Sequence, residues 1–395
     1  MKQASRPFIP SLLALLIMGF LFSVSVSYAQ KQDDALAQVI GQTITGHLQN
    51  DPRATRNNVA LLGVTVEGNV ITLNFSAGLF ERGSAASEAT FHKMMNAVIG
   101  AEGFTLTDAQ FVITVGGVRI DTVLREQDAL LPSFEQSQGP LLTIPLPPAP
   151  DASGSAPRGP LSGRKIAISP GHGWTWIGGA WKLQRGWWWG INEDIVNAQI
   201  IMELQKLLVN AGATVYPARE MNTNAGNGVS GHPRWEENAR EYVKSLGVPP
   251  VVWNSINDTD TNNDIRTRPL YANYRGADIL VSVHNNGACQ NNCGWKGGTM
   301  IMYDTDNSQQ AGSYTLAEKV ESQLIASLRS YNSNWWNRGV FGYNGTYGEN
   351  RVATRPAIII EAAFMDQEYP DNTFLRDATF RYKIAYGIYK GILDY

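Results

Sequence analysis

The rhythm of hydrophobic and polar positions changes several times along the chain. Residues 35–48 repeat apolar side chains at helical spacing, and residues 59–65 and 70–75 alternate apolar with polar, as half-buried strands do. Glu67-Gly68-Asn69 between those strands is turn chemistry, so the pair reads as a hairpin. Helical spacing returns over 86–99, and 111–115 and 118–123 read as a second strand pair around Gly116-Gly117. These elements predict a small α+β domain over 33–130. The pattern then breaks: 131–163 is rich in Pro, Gly and Ser, with Pro-Leu-Pro-Pro-Ala-Pro at 145–150, and reads as a linker. From Lys165 onward, short apolar runs alternate with helical stretches. Strands are expected at 165–168, 213–216, 279–283, 299–303 and 357–360, with helices at 192–211, 267–275, 311–328 and 374–393. That alternation predicts an α/β domain over 164–395, a mostly parallel sheet flanked by helices.

The N-terminus adds a location. Lys2 and Arg6 precede an apolar run from Leu12 to Val26, and Ser27-Tyr28-Ala29-Gln30 supplies small residues at a cleavage point. This is the pattern of a secretory signal peptide over 1–29, which implies an extracytoplasmic, envelope-associated or secreted protein. Two cysteines, Cys289 and Cys293, are too few for a zinc ribbon, and export permits them to pair. The formal net charge of −3 lacks the basic footprint of nucleic-acid binding. All 11 tryptophans fall between Trp174 and Trp336, densest at Trp187-Trp188-Trp189. Core and loop packing is the commoner fate of Trp, and exposed faces beside a cleft would instead hold sugar or peptide.

Candidate chemistry rests on a few positions. There are five histidines, and His47 and His92 sit on expected helices where partial burial accounts for them. His232 lies in a Gly/Asn-rich loop. His172 and His284 each follow an apolar strand closely, in Ser-Pro-Gly-His-Gly and Ser-Val-His-Asn-Asn, and Glu361 follows the strand 357–360. The carboxyl ends of strands are where open α/β sheets bind ligands. Glu193 opens the helix after the His172 loop and can reach the same edge. Separately, each residue has an ordinary reading as a loop hydrogen-bonder or a helix-dipole partner. Together, His172, Glu193 and His284 fill three positions of a tetrahedral zinc site with the fourth open, which marks a catalytic metal. A second carboxylate is then needed to move a proton, and Glu361 fits by position. A cysteine nucleophile is disfavoured, since neither cysteine has a His partner free of metal duty.

At these residues the sequence resembles the zinc-dependent N-acetylmuramoyl-L-alanine amidases of the amidase-3 type, over about 165–395. Five ordered segments carry the resemblance: Lys165-Ile-Ala-Ile-Ser-Pro-Gly-His172-Gly; Asn192-Glu193-Asp194; Gly212-Ala-Thr-Val-Tyr-Pro-Ala-Arg219; Arg268-Pro-Leu-Tyr-Ala-Asn273 with Ala277-Asp-Ile-Leu-Val-Ser-Val-His284-Asn-Asn; and Arg355-Pro-Ala-Ile-Ile-Ile-Glu361-Ala-Ala-Phe364. The resemblance implies His172, Glu193 and His284 as ligands of one zinc ion per chain. It implies Glu361 as catalytic acid/base and peptidoglycan as substrate, cut between N-acetylmuramic acid and L-alanine. The His172–Glu193 stretch is longer and richer in Trp than is usual, which leaves Asp194 as an alternative ligand. The loop 223–264 is enlarged, and a Cys-bearing loop follows His284. A zinc peptidase of wall peptides and an inactive wall-binding or regulatory protein are the competing readings. The small domain is similar, through Leu62-Gly-Val-Thr-Val-Glu-Gly-Asn-Val-Ile-Thr-Leu-Asn-Phe75, to the GerM-type sporulation and germination domain, which implies a wall or protein partner.

Overall fold

The computed structural model describes residues 12–80, 84–101, 103–129, 159–256, 258–287 and 297–395, with only the backbone given for 12–29, 53, 80, 84–90, 93, 127 and 129. The first part of the expected signal segment, most of the expected linker and both cysteines lie outside the described residues. Among the described residues no helix is long and apolar enough to cross a membrane.

The N-terminal half of the order runs α1 (Leu12–Asn50), α2 (Pro52–Arg56), β1 (Leu61–Glu67), β2 (Val70–Phe75), α3 (Ser84–Gly100), β3 (Gln110–Val115), β4 (Val118–Arg119) and α4 (Ile120–Ala129). β1 and β2 form the expected antiparallel hairpin. The strand expected over 118–123 stops after two residues and turns into α4. Ile120 and Leu124, one helical turn apart, are both buried in the core, and Asp121 in the first turn complements the helix dipole.

The second part begins with β5 (Lys165–Pro170) and two short hairpins, β6 (Thr175–Ile177) with β7 (Ala180–Lys182) and β8 (Trp187–Trp188) with β9 (Ile191–Asn192). It continues through α5 (Glu193–Asn210), β10 (Thr214–Pro217), α6 (Ala239–Ser245), α7 (Pro250–Trp253), α8 (Asp260–Arg275), β11 (Ile279–Asn286) and β12 (Thr299–Asp304). α9 (Gln310–Arg329), β13 (Asn337–Tyr343), α10 (Gly348–Arg351), β14 (Ala357–Phe364), α11 (Thr373–Leu375) and α12 (Ala378–Asp394) complete it. The main sheet has the order β1-β2-β3-β13-β12-β14-β11-β5-β10. The pairs from β2 to β10 are parallel except β12 with β14, which is antiparallel.

Strand alternation decides what each face carries. On β14, Ile358 and Ile360 join the core with α5, α9 and α12, and on β11 Val281 and Val283 do the same. The intervening positions, Ser282 and His284 on β11 and Ile359 and Glu361 on β14, point to the opposite face. Part of that face is closed by α8 through Ala272, which packs with Ala167, Leu280 and Ala357.

The rest is closed by the N-terminal region. Leu36, Ile40 and Ile44 of α1 and Phe91, Met94, Met95 and Val98 of α3 share one apolar cluster with Met300, Met302, Phe341, Tyr343 and Ile359. β3 pairs with β13 at Gln110↔Gly342 and Phe111↔Tyr343, and Asn344 brackets Ile113 with bonds to its N–H (2.8 Å) and C=O (3.1 Å). The two regions thus share a sheet and a core.

Candidate active site

Backbone constraints set His172 in place first. β5 ends at Pro170, and His172 takes a left-handed φ of +63°, a conformation that costs on the order of 1–3 kcal/mol for a residue with a Cβ. Its two neighbours must be glycine. A Cβ on Gly171 would stand 2.4 Å from the His284 ring, and one on Gly173 would stand 2.6 Å from the Asn238 nitrogen. Glu193 is the first residue of α5, whose N-cap Asn192 accepts from the Asp194 N–H. His284 lies near the end of β11, just before the register shift that separates it from Asn286.

These elements bring three ligand atoms together. His172 Nε2 lies 3.0 Å from Glu193 Oε1 and 3.2 Å from His284 Nδ1, and His284 Nδ1 lies 3.4 Å from Glu193 Oε1. Tetrahedral bonding at about 2.0–2.1 Å separates ligand atoms by about 3.3–3.4 Å, close to this spacing. Two imidazole nitrogens facing each other at 3.2 Å also need a proton or a cation between them. The donor set therefore fits a divalent metal such as zinc, and among the described residues it is the group able to hold one.

The far side of each imidazole is also engaged. Gln184 Nε2 donates to Thr175 Oγ1 (2.8 Å) and Asp264 Oδ2 (2.9 Å), so its Oε1 accepts from His172 Nδ1 at 3.0 Å. That leaves the lone pair of His172 Nε2 for a metal. His284 Nε2 lies 3.2 Å from Glu349 Oε1, and Glu349 is bound by Arg268, whose other nitrogen reaches Asp264 at 2.6 Å. A buried chain therefore runs His172–Gln184–Asp264–Arg268–Glu349–His284, its middle pair four residues apart on α8. Glu193 Oε1 also accepts from the Asn285 N–H (3.3 Å) and Asn197 Nδ2 (3.3 Å), and its Oε2 faces Arg185 at 3.3 Å.

Electrostatics follows this packing. Burial, with Arg185 nearby, pushes His172 down to about 4. Burial also disfavours a charged His284, but Glu349 and the hydrogen bonds to Glu193 and Glu349 outweigh it and carry it up to about 10. Burial opposes ionisation of Glu193, yet the His172 and His284 contacts hold its carboxyl well below the usual range.

Glu361 is different. It pairs with His284 across β14 and β11, is 0% exposed, and neither carboxylate oxygen has a hydrogen-bond partner. Burial, with Glu193 adding to it against the pull of His284, pushes its carboxyl up to about 8. His92 Nε2 of α3 lies 3.3 Å from Glu361 Oε1, in polar contact but not aligned as a hydrogen bond. From its pattern alone His92 reads as a partly buried helix residue; in the fold it stands over Glu361.

Other sequence expectations fall into place locally. Asp194 points away from the metal position, accepting from the Gly173 N–H (3.2 Å) and Gln184 N–H (2.7 Å), so Glu193 is the carboxylate facing both histidines. Arg219 is buried and binds the carbonyls of Gly171 (3.0 Å) and Asp194 (2.8 Å), tying the two ligand loops together. Trp174 stacks on His232, while Trp176 and Trp187 are 46% and 64% exposed. Gln184, Asp264 and Glu349 carry no local sequence signal, because their partners lie on other elements.

Residues 166–394, which carry all four candidate site residues, match the family model described as N-acetylmuramoyl-L-alanine amidase. The chain belongs to this family. No curated protein matches it. Solved structures that this amidase is similar to include the N-acetylmuramoyl-L-alanine amidase of Clostridium difficile 630, at 22% identity over 59% of this chain and 96% of that one, with a TM-score of 0.41. The CwlV catalytic domain of Bacillus (Paenibacillus) polymyxa var. colistinus is 17% identical over 59% and 97%, with a TM-score of 0.40. AmiC2 of Nostoc punctiforme is 21% identical over 59% and 98%, with a TM-score of 0.40. As a peptidoglycan amidase, the enzyme hydrolyses the bond between N-acetylmuramic acid and L-alanine.

Proposed function

We propose that the amidase works with one zinc ion held by His172, Glu193 and His284, and with Glu361 as its general acid/base. The observation that carries this is the meeting of three ligand atoms at 3.0–3.4 Å beside a buried carboxyl raised to about 8. When bound, zinc polarises the scissile carbonyl and acidifies water. The chain's own residues do the rest. Gln184 and Glu349 orient the two imidazoles, and Arg185 balances the charge of Glu193. Glu361 takes the proton from the attacking water and returns it to the alanine nitrogen as the C–N bond breaks. The water oxygen stays on the muramic acid carboxyl group, and the stem peptide leaves with a free L-alanine amine.

Metal analysis of the purified protein, paired with mass analysis of digested peptidoglycan, tests the reading. One zinc per chain with intact stem peptides released supports it; turnover without metal, or with another stoichiometry, overturns it.

We also read residues 1–29 as a signal peptide and 33–130 as a GerM-type accessory region that engages the wall or a protein partner. The basic-apolar-small order of the first segment and the hairpin, helix and strand order of the second support these readings. N-terminal sequencing of envelope-associated protein checks the first: a start at Gln30 supports it and a start at Met1 sinks it. Retention of the intact chain on purified peptidoglycan or on a co-purified envelope protein, lost when the exposed Leu62 and Val118 are both changed to Asp, supports the second, and retention unchanged by those substitutions sinks it.

A further inference from the structure

The face of the sheet that bears Glu361 is completed by an element from outside the family-matched segment. Ile359 and Glu361 lie two apart on β14, and Ile359 packs in the core built with α1 and α3. α3 is fixed there by Phe91, Met94, Met95 and Val98 in that core, and its end is held by Arg338, which donates to the Ile99 carbonyl. The His92 ring is set edge-on against Tyr347, with centroids 5.6 Å apart and planes at 89°. One turn further along α3, Asn96 is fully buried and neither end of its amide has a partner. Buried polar groups of this kind call for a polar partner, so this side of α3 carries polar atoms where its other side carries the apolar core.

We propose that His92 is a positioning residue for Glu361, its Nε2–H holding Oε1 so that Oε2 is the oxygen that exchanges the proton. This rests on the reading of Glu361 as acid/base. Burial, reinforced by Arg185 and His284, keeps His92 down at about 3, hence neutral, and a neutral imidazole can hold a carboxylate without quenching its charge. At 3.3 Å, Nε2 stands within reach of Oε1, and a small rotation of either side chain brings the two into line. The N-terminal region thereby contributes a side chain to the catalytic centre.

The experiment compares His92→Phe, His92→Gln and Glu361→Gln in the full-length zinc-loaded enzyme, reading kcat and KM on purified peptidoglycan, bound zinc and Tm. His92→Phe should lower kcat about 10–100-fold with KM and zinc unchanged. His92→Gln, which restores an N–H donor, should recover most of that loss. In the Glu361→Gln background His92→Phe should subtract nothing more. A kcat at the wild-type level overturns the proposal, and a higher kcat overturns it by making α3 a plug. If His92→Phe fails to fold, His92→Asn, too short to reach Oε1, replaces it against His92→Gln under the same criteria. An active Glu361→Gln enzyme would overturn the acid/base reading itself, whereas a dead Glu361→Gln enzyme beside an unimpaired His92→Phe enzyme overturns only the role of His92.

Discussion

The metal corner and the Glu361 corner sit on adjacent strands, since His284 and Glu361 face each other across β11 and β14, yet they are built in opposite ways. At the metal corner both imidazoles carry a side-chain partner on the far nitrogen, and Glu193 is bound on both oxygens. All of those partners come from residues 184–349. At the Glu361 corner neither oxygen is hydrogen-bonded, and the facing side chain comes from α3. On the proposed reading, the difference separates two tasks. Metal ligands work best when fixed in tautomer and direction before the ion arrives. A proton carrier works best with its pKa near the working pH, and leaving a carboxyl buried and under-satisfied is a direct way to raise it.

Paired substitutions break this contrast most sharply. His172→Ala should remove both bound zinc and turnover, whereas Glu361→Gln should keep the zinc and lose on the order of 10²–10⁴-fold in kcat. Metal content beside turnover checks both, and zinc lost from Glu361→Gln would mean that the two corners are one. A smaller effect is expected from Glu349→Gln, which weakens the hold on the His284 N–H. Zinc affinity should fall about 10–100-fold while kcat at saturating zinc stays within a few-fold; competition with a chelator measures the first, and unchanged affinity contradicts the ring of supports.

The smallest effect concerns the seam between the regions. Asp128 at the end of α4 takes Arg266 Nη1 at 2.6 Å and Arg351 Nε at 2.8 Å. Burial opposes its ionisation, but Arg351 and Arg266 outweigh that and lower its pKa below 3.8. A depressed carboxylate pKa stabilises the fold above the unfolded value and loses that contribution as pH falls through the folded one. Asp128→Asn should therefore cost about 1–3 kcal/mol near neutral pH. The Tm gap to wild type should close as pH drops to 4 and below, and a gap independent of pH would assign the loss to packing instead.

The sequence was most readable where signals are local. Apolar runs such as 279–283 and 357–360 announce β11 and β14, and His284 and Glu361 stand out because each directly follows such a run. Glu193 is legible as the opening of a helix after the His172 loop. β13 was not legible, since Gly339 and Gly342 interrupt its apolar positions, and the strand expected over 118–123 keeps only its first two residues before α4 begins. Gln184, Glu349 and His92 were invisible for another reason. Their importance comes from partners on distant elements, and no periodicity encodes that. The Pro-rich break at 145–150 also hid how closely the two halves join, since composition says nothing about what packs across it.

That join has a consequence for the order of assembly. Asn344 meets Ile113 across 231 positions of sequence, and β3 has its inner neighbour only in β13. Contacts of such separation form late and slowly, because a long loop must close before they return any stability. The N-terminal strands, made first, must wait for a segment near the end of the chain, and Glu361 lies beyond even that segment. If Glu361 carries the proton as proposed, a nascent chain or one cut short before β14 holds no complete cutting centre, and hydrolysis of the wall waits for the finished molecule.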